Sequence, residues 1–178
     1  MKVLIAYCSV SGTAKGCAEL LSRELFSADV TVADLASETP DVGDYDVIVL
    51  GAPIRMNKFG KPFRNYVGAN ADALKNKPHG FFVCAMSEES FEERVPALIP
   101  KELRDSAFAV EYFGGELSVE RQKSFFARLI TRVMRDRITS DYGTNDAESD
   151  TALPTIAEPV IAQYAQKVMK AVENTTQK

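Results

Sequence analysis

Short apolar, β-branched runs alternate along the chain with stretches whose apolar positions recur every three or four residues. That alternation predicts a parallel sheet with helices on both faces. The first strand runs from Lys2 to Tyr7 and feeds the turn Cys8-Ser9-Val10-Ser11-Gly12. A helix follows from Thr13 to about Phe26, with Ala14, Cys17, Ala18, Leu21 and Leu25 on one face. Asp29 to Leu35 is the second strand and Tyr45 to Leu50 the third, which Gly51-Ala52-Pro53 ends. A helix from about Pro62 carries Phe63, Tyr66, Val67, Ala71 and Leu74 on one stripe. Proline suits its first turn, where a missing N–H costs nothing. Gly80 to Met86 is the fourth strand, and Ser90 to Glu93 has the S-x-x-E spacing of a capping box opening a short helix. Phe108 to Phe113 is the fifth strand, closed by Gly114-Gly115.

The pattern then changes. Residues 119 to 138 place Phe125, Leu129 and Val133 on one helical row and Phe126, Ile130, Met134 and Ile138 on the next. Thr139 to Thr151 is an acidic loop poor in apolar residues. A last helix from about Pro159 repeats Val160, Tyr164, Val168 and Val172. The 178 residues thus read as one α/β domain with an extra segment, 116 to 151, after strand 5.

Charge narrows the function. The net charge of -4 from 21 basic and 25 acidic residues argues against a general nucleic-acid binder, which needs a basic face. The charge is uneven: residues 118 to 138 hold six cations against two acids, a local +4 that leaves -8 for the rest of the chain. Three cysteines without a C-x-x-C, and the single His79 in a Pro-His-Gly turn, make a disulfide framework, a metal site and Cys-His or Ser-His-Asp catalysis poor readings. Met1-Lys2 runs straight into a short apolar stretch and no run reaches the ~20 residues of a bilayer span, so a cytoplasmic protein is expected.

Five strands in this succession fit the doubly wound order 2-1-3-4-5, whose ligand site lies beyond the carboxyl ends of strands 1 and 3. After strand 1 stand Ser9, Val10, Ser11, Gly12, Thr13 and Ala14. Hydroxyls, a glycine and the free N–H groups of a helix N-terminus suit a phosphate. Lys15 follows, and the first acid, Glu19, comes a turn later. A helix that receives a dianion should lack acids there, whereas an ordinary N-terminus favours them. The plainer reading is a serine-rich turn capping a helix. There is no G-x-x-x-x-G-K-[ST] and no G-x-G-x-x-G after strand 1, which disfavours an NTPase or a dinucleotide site.

Ser9-Val10-Ser11-Gly12-Thr13-Ala14 resembles the phosphate loop of the flavodoxin family, [ST]-x-[TSD]-G-x-[ST], except that Ala14 replaces the last hydroxyl. Tyr45 through Ile54 resembles that family's third strand and first flavin-flanking loop, and Ala85-Met86-Ser87-Glu88-Glu89 stands where the second would be. The resemblance implies bound FMN, with Pro53, Ile54, Arg55, Met56, Asn57, Met86, Ser87 and Glu88 beside the ring. These loops lack the aromatic side chains that usually stack on the flavin, apart from Phe59 further along. Gly51-Ala52-Pro53-Ile54-Arg55, with the aromatic and basic segment after strand 5, is similar to the flavodoxin-type, quinone-dependent protoporphyrinogen oxidases. That similarity implies an FMN-dependent oxidoreductase with small-molecule partners, a porphyrinogen donor and a quinone acceptor, and Arg55, Arg121, Phe125, Phe126 and Arg128 as candidate substrate residues. The alternatives are an electron-carrier flavodoxin and a flavodoxin-like domain without flavin.

Several residues keep two readings. Glu88, Glu89, Glu92 and Glu93 either lower a flavin's potential or complement a helix dipole. Cys8 is either redox-active or a buried, inert thiol. Arg55 either reaches the flavin N1–C2=O edge or a carboxylate, or is a solvated loop arginine. The 119 to 138 stretch is a crossover helix on the sheet, a peripheral contact with an anionic membrane, or a cover over the flavin.

Overall fold

The computed structural model describes residues 1–115 and 156–176. Strands β1 (Lys2–Tyr7), β2 (Asp29–Asp34), β3 (Val47–Pro53), β4 (His79–Cys84) and β5 (Val110–Tyr112) form one sheet. All pairs are parallel and the order is β2-β1-β3-β4-β5, as the sequence led us to expect. Helices α1 (Thr13–Glu24) and α6 (Glu158–Thr176) pack together over one face. The other face is covered by α2 (Lys61–Ala69), α3 (Ala71–Lys75), α4 (Glu88–Leu98) and α5 (Lys101–Ser106).

Two cores result from the period of two along each strand. Val3, Ile5, Tyr7, Val47 and Val49 point toward α1 and α6, whereas Leu4, Ala6, Ile48 and Leu50 point the other way, against Phe63, Tyr66 and Leu74. Burial on both faces is why the central strands read as unbroken apolar runs. On the α6 side Phe82 stacks on Phe113, with ring centroids 4.7 Å apart, and Tyr164 meets Phe113 edge-on at 5.1 Å.

Some boundaries differ from the sequence expectation. Strand β3 continues through Gly51-Ala52-Pro53 instead of ending before it. Gly51 pairs with Tyr7 and Phe82, and a Cβ there would lie 1.9 Å from Phe82 Cζ, so this glycine makes room for a ring rather than a turn. The helix expected from Pro62 onward is two helices, parted at Asn70, whose Nδ2 donates to the Tyr66 carbonyl at 2.9 Å. The cap of α4 is Ser87, whose Oγ accepts the Ser90 N–H at 3.1 Å, not Ser90 itself.

His79 is the first residue of β4, not part of a turn. It is buried at the amino edge of the sheet, with Nδ1 3.0 Å from the Lys77 carbonyl and Nε2 2.8 Å from the Leu103 carbonyl. The loops after the strands lie at the opposite edge.

Candidate functional site

Parallel strands bring the segments after β1, β3, β4 and β5 to one edge of the sheet. The loop after β1 leaves while still tied to β3, because the Cys8 N–H donates to the Gly51 carbonyl at 2.9 Å. Gly12 then adopts φ 95° and serves as the N-cap of α1 without any side-chain cap. Only glycine takes this conformation without strain. The Gly12 N–H donates to Ser9 Oγ at 3.1 Å, while the Gly12 carbonyl accepts the Gly16 N–H at 2.8 Å. The amides of Thr13, Ala14 and Lys15 therefore sit in the first turn with no partner among the described residues. Ser11 Oγ and Thr13 Oγ1 lie 3.4 Å apart beside them, and no acid occupies the turn. Ala14 is fully buried, in the core cluster on the α1 side of the sheet.

The loop after β3 is a tight hairpin. The Ile54 N–H bonds to the Cys84 carbonyl at 2.8 Å, and Arg55 and Lys58 exchange N–H···O bonds of 3.0 and 3.1 Å. Between them Met56 and Asn57 have φ 49° and 62°, the signs of a two-residue type I′ turn. Met56 is 90% exposed at its tip. Phe59, the one aromatic the sequence offered near the expected flavin, turns inward instead and packs on Phe63 at 4.9 Å. A Cβ at Gly60 would lie 3.2 Å from Cys8 Sγ, so the first two loops touch there. The Cys8 thiol is buried, and burial followed by the nearby Asp34 carboxylate raises its pKa, which favours the inert reading of this cysteine.

The third loop is braced from β5. The Ala85 N–H donates to the Gly114 carbonyl at 3.1 Å, and the Tyr112 hydroxyl donates to the Ala85 carbonyl at 3.2 Å. A Cβ on Gly115 would fall 2.1 Å from the Ala85 oxygen. Met86 is exposed, Ser87 is engaged as the α4 cap, and Glu88 and Glu89 fill the first turn of α4. An antiparallel bridge joins Gly114 to Ile156, and Ile156 Cδ1 would lie 3.8 Å from a Cβ on Gly16. The bracing of the third loop by Tyr112 and Gly115 has no signature in the sequence beyond the Gly114-Gly115 pair.

Three exposed apolar side chains, Val10, Met56 and Met86, stand one on each of the three loops. Between the hairpin and α4 lies an open groove of about 330 Å³ lined by Asn57, Glu93, Arg94, Ala97 and Leu98. Arg94 Nε is buried without a hydrogen-bond partner among the described residues, and its terminal nitrogen is 3.5 Å from Glu93 Oε2. Sequence reasoning did not single out Arg94.

A family model described as a flavodoxin domain matches residues 4–144. The chain belongs to that flavodoxin family. Among curated proteins it is similar to the protoporphyrinogen IX dehydrogenase (quinone) of Escherichia coli strain K12, with 30% identity over 100 residues. That match covers 54% of this chain and 55% of the relative, so the chain spans about half the length of the curated relatives it matches. Solved structures bear out the fold. The rubredoxin oxygen:oxidoreductase of Desulfovibrio gigas superposes with a TM-score of 0.56 at 11% identity, over 99% of this chain and 37% of that one. A short-chain flavodoxin associated with a non-canonical PDU bacterial microcompartment gives 0.55 at 13% identity, over 96% and 97%.

Membership of the flavodoxin family implies a flavin cofactor, and the residues present fit one that carries a phosphate. The first turn of α1 offers unpartnered amides, clustered hydroxyls and no competing carboxylate. The three apolar side chains stand on the loops that would surround the ring. Arg121, Phe125, Phe126 and Arg128, with the whole of the 119 to 138 stretch, lie outside the described residues. No helix among the described residues is long and apolar enough to cross a membrane.

Proposed function

We propose that this flavodoxin-family chain binds FMN noncovalently and passes electrons from an organic hydrogen donor to a quinone, with protoporphyrinogen as the donor. The observation that carries the cofactor reading is the acid-free, side-chain-uncapped N-terminus of α1, which the strand order sets between the loops of β1 and β3. Ser9, Val10, Ser11, Gly12, Thr13 and Ala14 would hold the phosphate, chiefly through backbone amides reinforced by the helix dipole. Pro53 to Asn57 and Met86 to Glu88 would flank the ring. The name of the E. coli relative supports the donor and acceptor.

FMN, when bound, supplies the capacity to take electrons from one partner and give them to another. The protein's own part is binding, orientation and electrostatics. Val10, Met56 and Met86 would exclude water from the ring, the methionine sulfurs making favourable contacts with an aromatic system. Arg55 would present its planar fork to a carbonyl edge or a substrate carboxylate. Glu88, Glu89, Glu92 and Glu93, on the first two turns of α4, would disfavour added negative charge on the cofactor. Phe125 and Phe126 would offer an apolar surface to the donor, and Arg121 or Arg128 would pair with its carboxylates.

The test is anaerobic mixing of FMN-loaded protein with protoporphyrinogen and menaquinone, followed by porphyrin fluorescence. Fluorescence that grows in proportion to protein supports the oxidoreductase. A second reading, the electron-carrier flavodoxin, draws on the openness of this edge, where Met56 and Met86 are exposed to any docking protein. Absence of flavin reduction by the porphyrinogen, together with fast one-electron exchange with a reductase, would select it. If the donor is oxidised, Phe125→Ala should lower kcat/KM without loosening FMN.

A further inference from the structure

The hairpin after β3 and the start of α2 combine an exposed apolar tip with a run of cations, of which the cofactor reading uses Met56 and Arg55 but not Lys58, Lys61 or Arg64. Met56 holds a left-handed conformation at the tip of a type I′ turn, where Asn or Gly would be less strained, and is almost wholly exposed. Around it, residues 55 to 64 contain Arg55, Lys58, Lys61 and Arg64 and no acid. Lys58, Lys61 and Arg64 are exposed, and none makes an ion pair or a side-chain hydrogen bond among the described residues. By contrast Lys15, Lys75, Lys101 and Lys167 each pair with a carboxylate. An exposed apolar tip beside Lys58, Lys61 and Arg64 is the composition that docks on an anionic lipid surface.

We propose that the 55–64 hairpin and helix start form a peripheral docking surface for anionic phospholipid headgroups, with Met56 entering the interface. The charge layout fixes the orientation. Across the groove from Asn57 stands α4, with Glu93 and Arg94 on the groove wall, and the same helix carries Glu88, Glu89 and Glu92. Repulsion tilts that side away and leaves the β3–α2 side down. A protein with a net charge of -4 can meet an anionic surface only through a cationic face, and salt weakens the contact. The face includes the edge of the proposed ring site, so docking brings that edge to a lipid-soluble acceptor. Lipid binding itself needs neither flavin nor quinone, so its failure and the failure of the cofactor reading are separate results.

The experiment is sedimentation of the full chain with vesicles of phosphatidylcholine containing about one third phosphatidylserine, at low and at 0.3 M salt, beside pure phosphatidylcholine. We expect binding to the anionic vesicles alone, lost at high salt. With roughly five-fold per cation near such a surface, the variant Lys58→Gln, Lys61→Gln, Arg64→Gln should lose on the order of 100-fold in partition. Met56→Asn, which suits the turn and so preserves the fold, should lose several-fold. Circular dichroism and thermal midpoints of both variants should match the parent. The proposal is overturned if the parent fails to bind at low salt, or if both vesicle types bind equally. It is also overturned if the triple variant binds like the parent while Arg128→Gln, Arg132→Gln, Arg135→Gln does not. Salt-sensitive capture by polyglutamate without vesicle binding would point to an acidic protein instead and equally refute it.

Discussion

If FMN binds as proposed, replacing Gly115 by alanine should loosen its ring without touching its phosphate. The added Cβ would stand 2.1 Å from the Ala85 oxygen and 3.1 Å from the Ala85 carbonyl carbon, both backbone atoms. Ordinary packing requires the two segments to part by roughly 1 Å, a small-to-large strain of about 1–3 kcal/mol. The displacement acts on a residue held by the Gly114 carbonyl at 3.1 Å and by the Tyr112 hydroxyl at 3.2 Å, bonds worth about 1 kcal/mol each. Ala85 leads directly into Met86, Ser87 and Glu88, so the shift is passed to the second flanking loop. A misplacement of this size costs up to ~100-fold where groups must align closely, and for a ring contact we expect a loss of about 10-fold in FMN affinity. The assay is fluorescence titration with FMN and, in parallel, with riboflavin, below the melting temperature of the variant. Both ligands should weaken by the same factor, because the phosphate loop is untouched. Unchanged affinity for both would show that the third loop does not contact the ring. A selective loss of FMN would show that Gly115 supports the phosphate end instead.

Other outcomes follow from single groups. Ser11→Asp sets an anion beside the α1 N-terminus and should abolish the preference for FMN over riboflavin while leaving the melting temperature within a few degrees; retention of that preference would remove Ser11 from the site. Tyr164 is fully buried with its hydroxyl unpartnered among the described residues, so Tyr164→Phe should be neutral or stabilise by about 1 kcal/mol in urea unfolding, and a loss of that size would reveal a missed partner. Burial, then Tyr45 and Asp41, push the Tyr66 phenol up to about 12, above the ~10 of an unfolded tyrosine. Its contribution is full below pH ~10 and lost as the pH rises through about 12. Stability measured from pH 8 upward should therefore fall at the alkaline end, less steeply in Tyr66→Phe, and an equal slope in both would contradict this.

The strand order and the acid-free turn after β1 were legible because both are written locally. Doubly buried strands have to be apolar throughout, and a helix start that receives an anion has to lack acids. What was hidden depends on packing in space or on turns without their usual residues. Gly51-Ala52-Pro53 has the composition of a break, yet it stays in the strand because Phe82 needs the space over Gly51. Ser87 and Ser90 are both plausible caps, and the choice falls to Ser87 because β4 ends at Cys84. The hairpin at Met56-Asn57 lacks the glycine that usually announces a type I′ turn. Phe59 faces the core rather than the site because Phe63, a helical turn on, gives it a buried partner. The contact of Gly115 with Ala85 joins the ends of two adjacent strands and can be seen only in space.

The most direct test of the account is the ratio of dissociation constants for riboflavin and FMN, measured by flavin fluorescence on the same preparation. Unpartnered amides at the acid-free first turn of α1 should make FMN bind at least 100-fold more tightly, the equivalent of about two charge-assisted hydrogen bonds. Equal constants for the two ligands would contradict the placement of the phosphate at Ser9 to Ala14, and with it the cofactor reading of this edge.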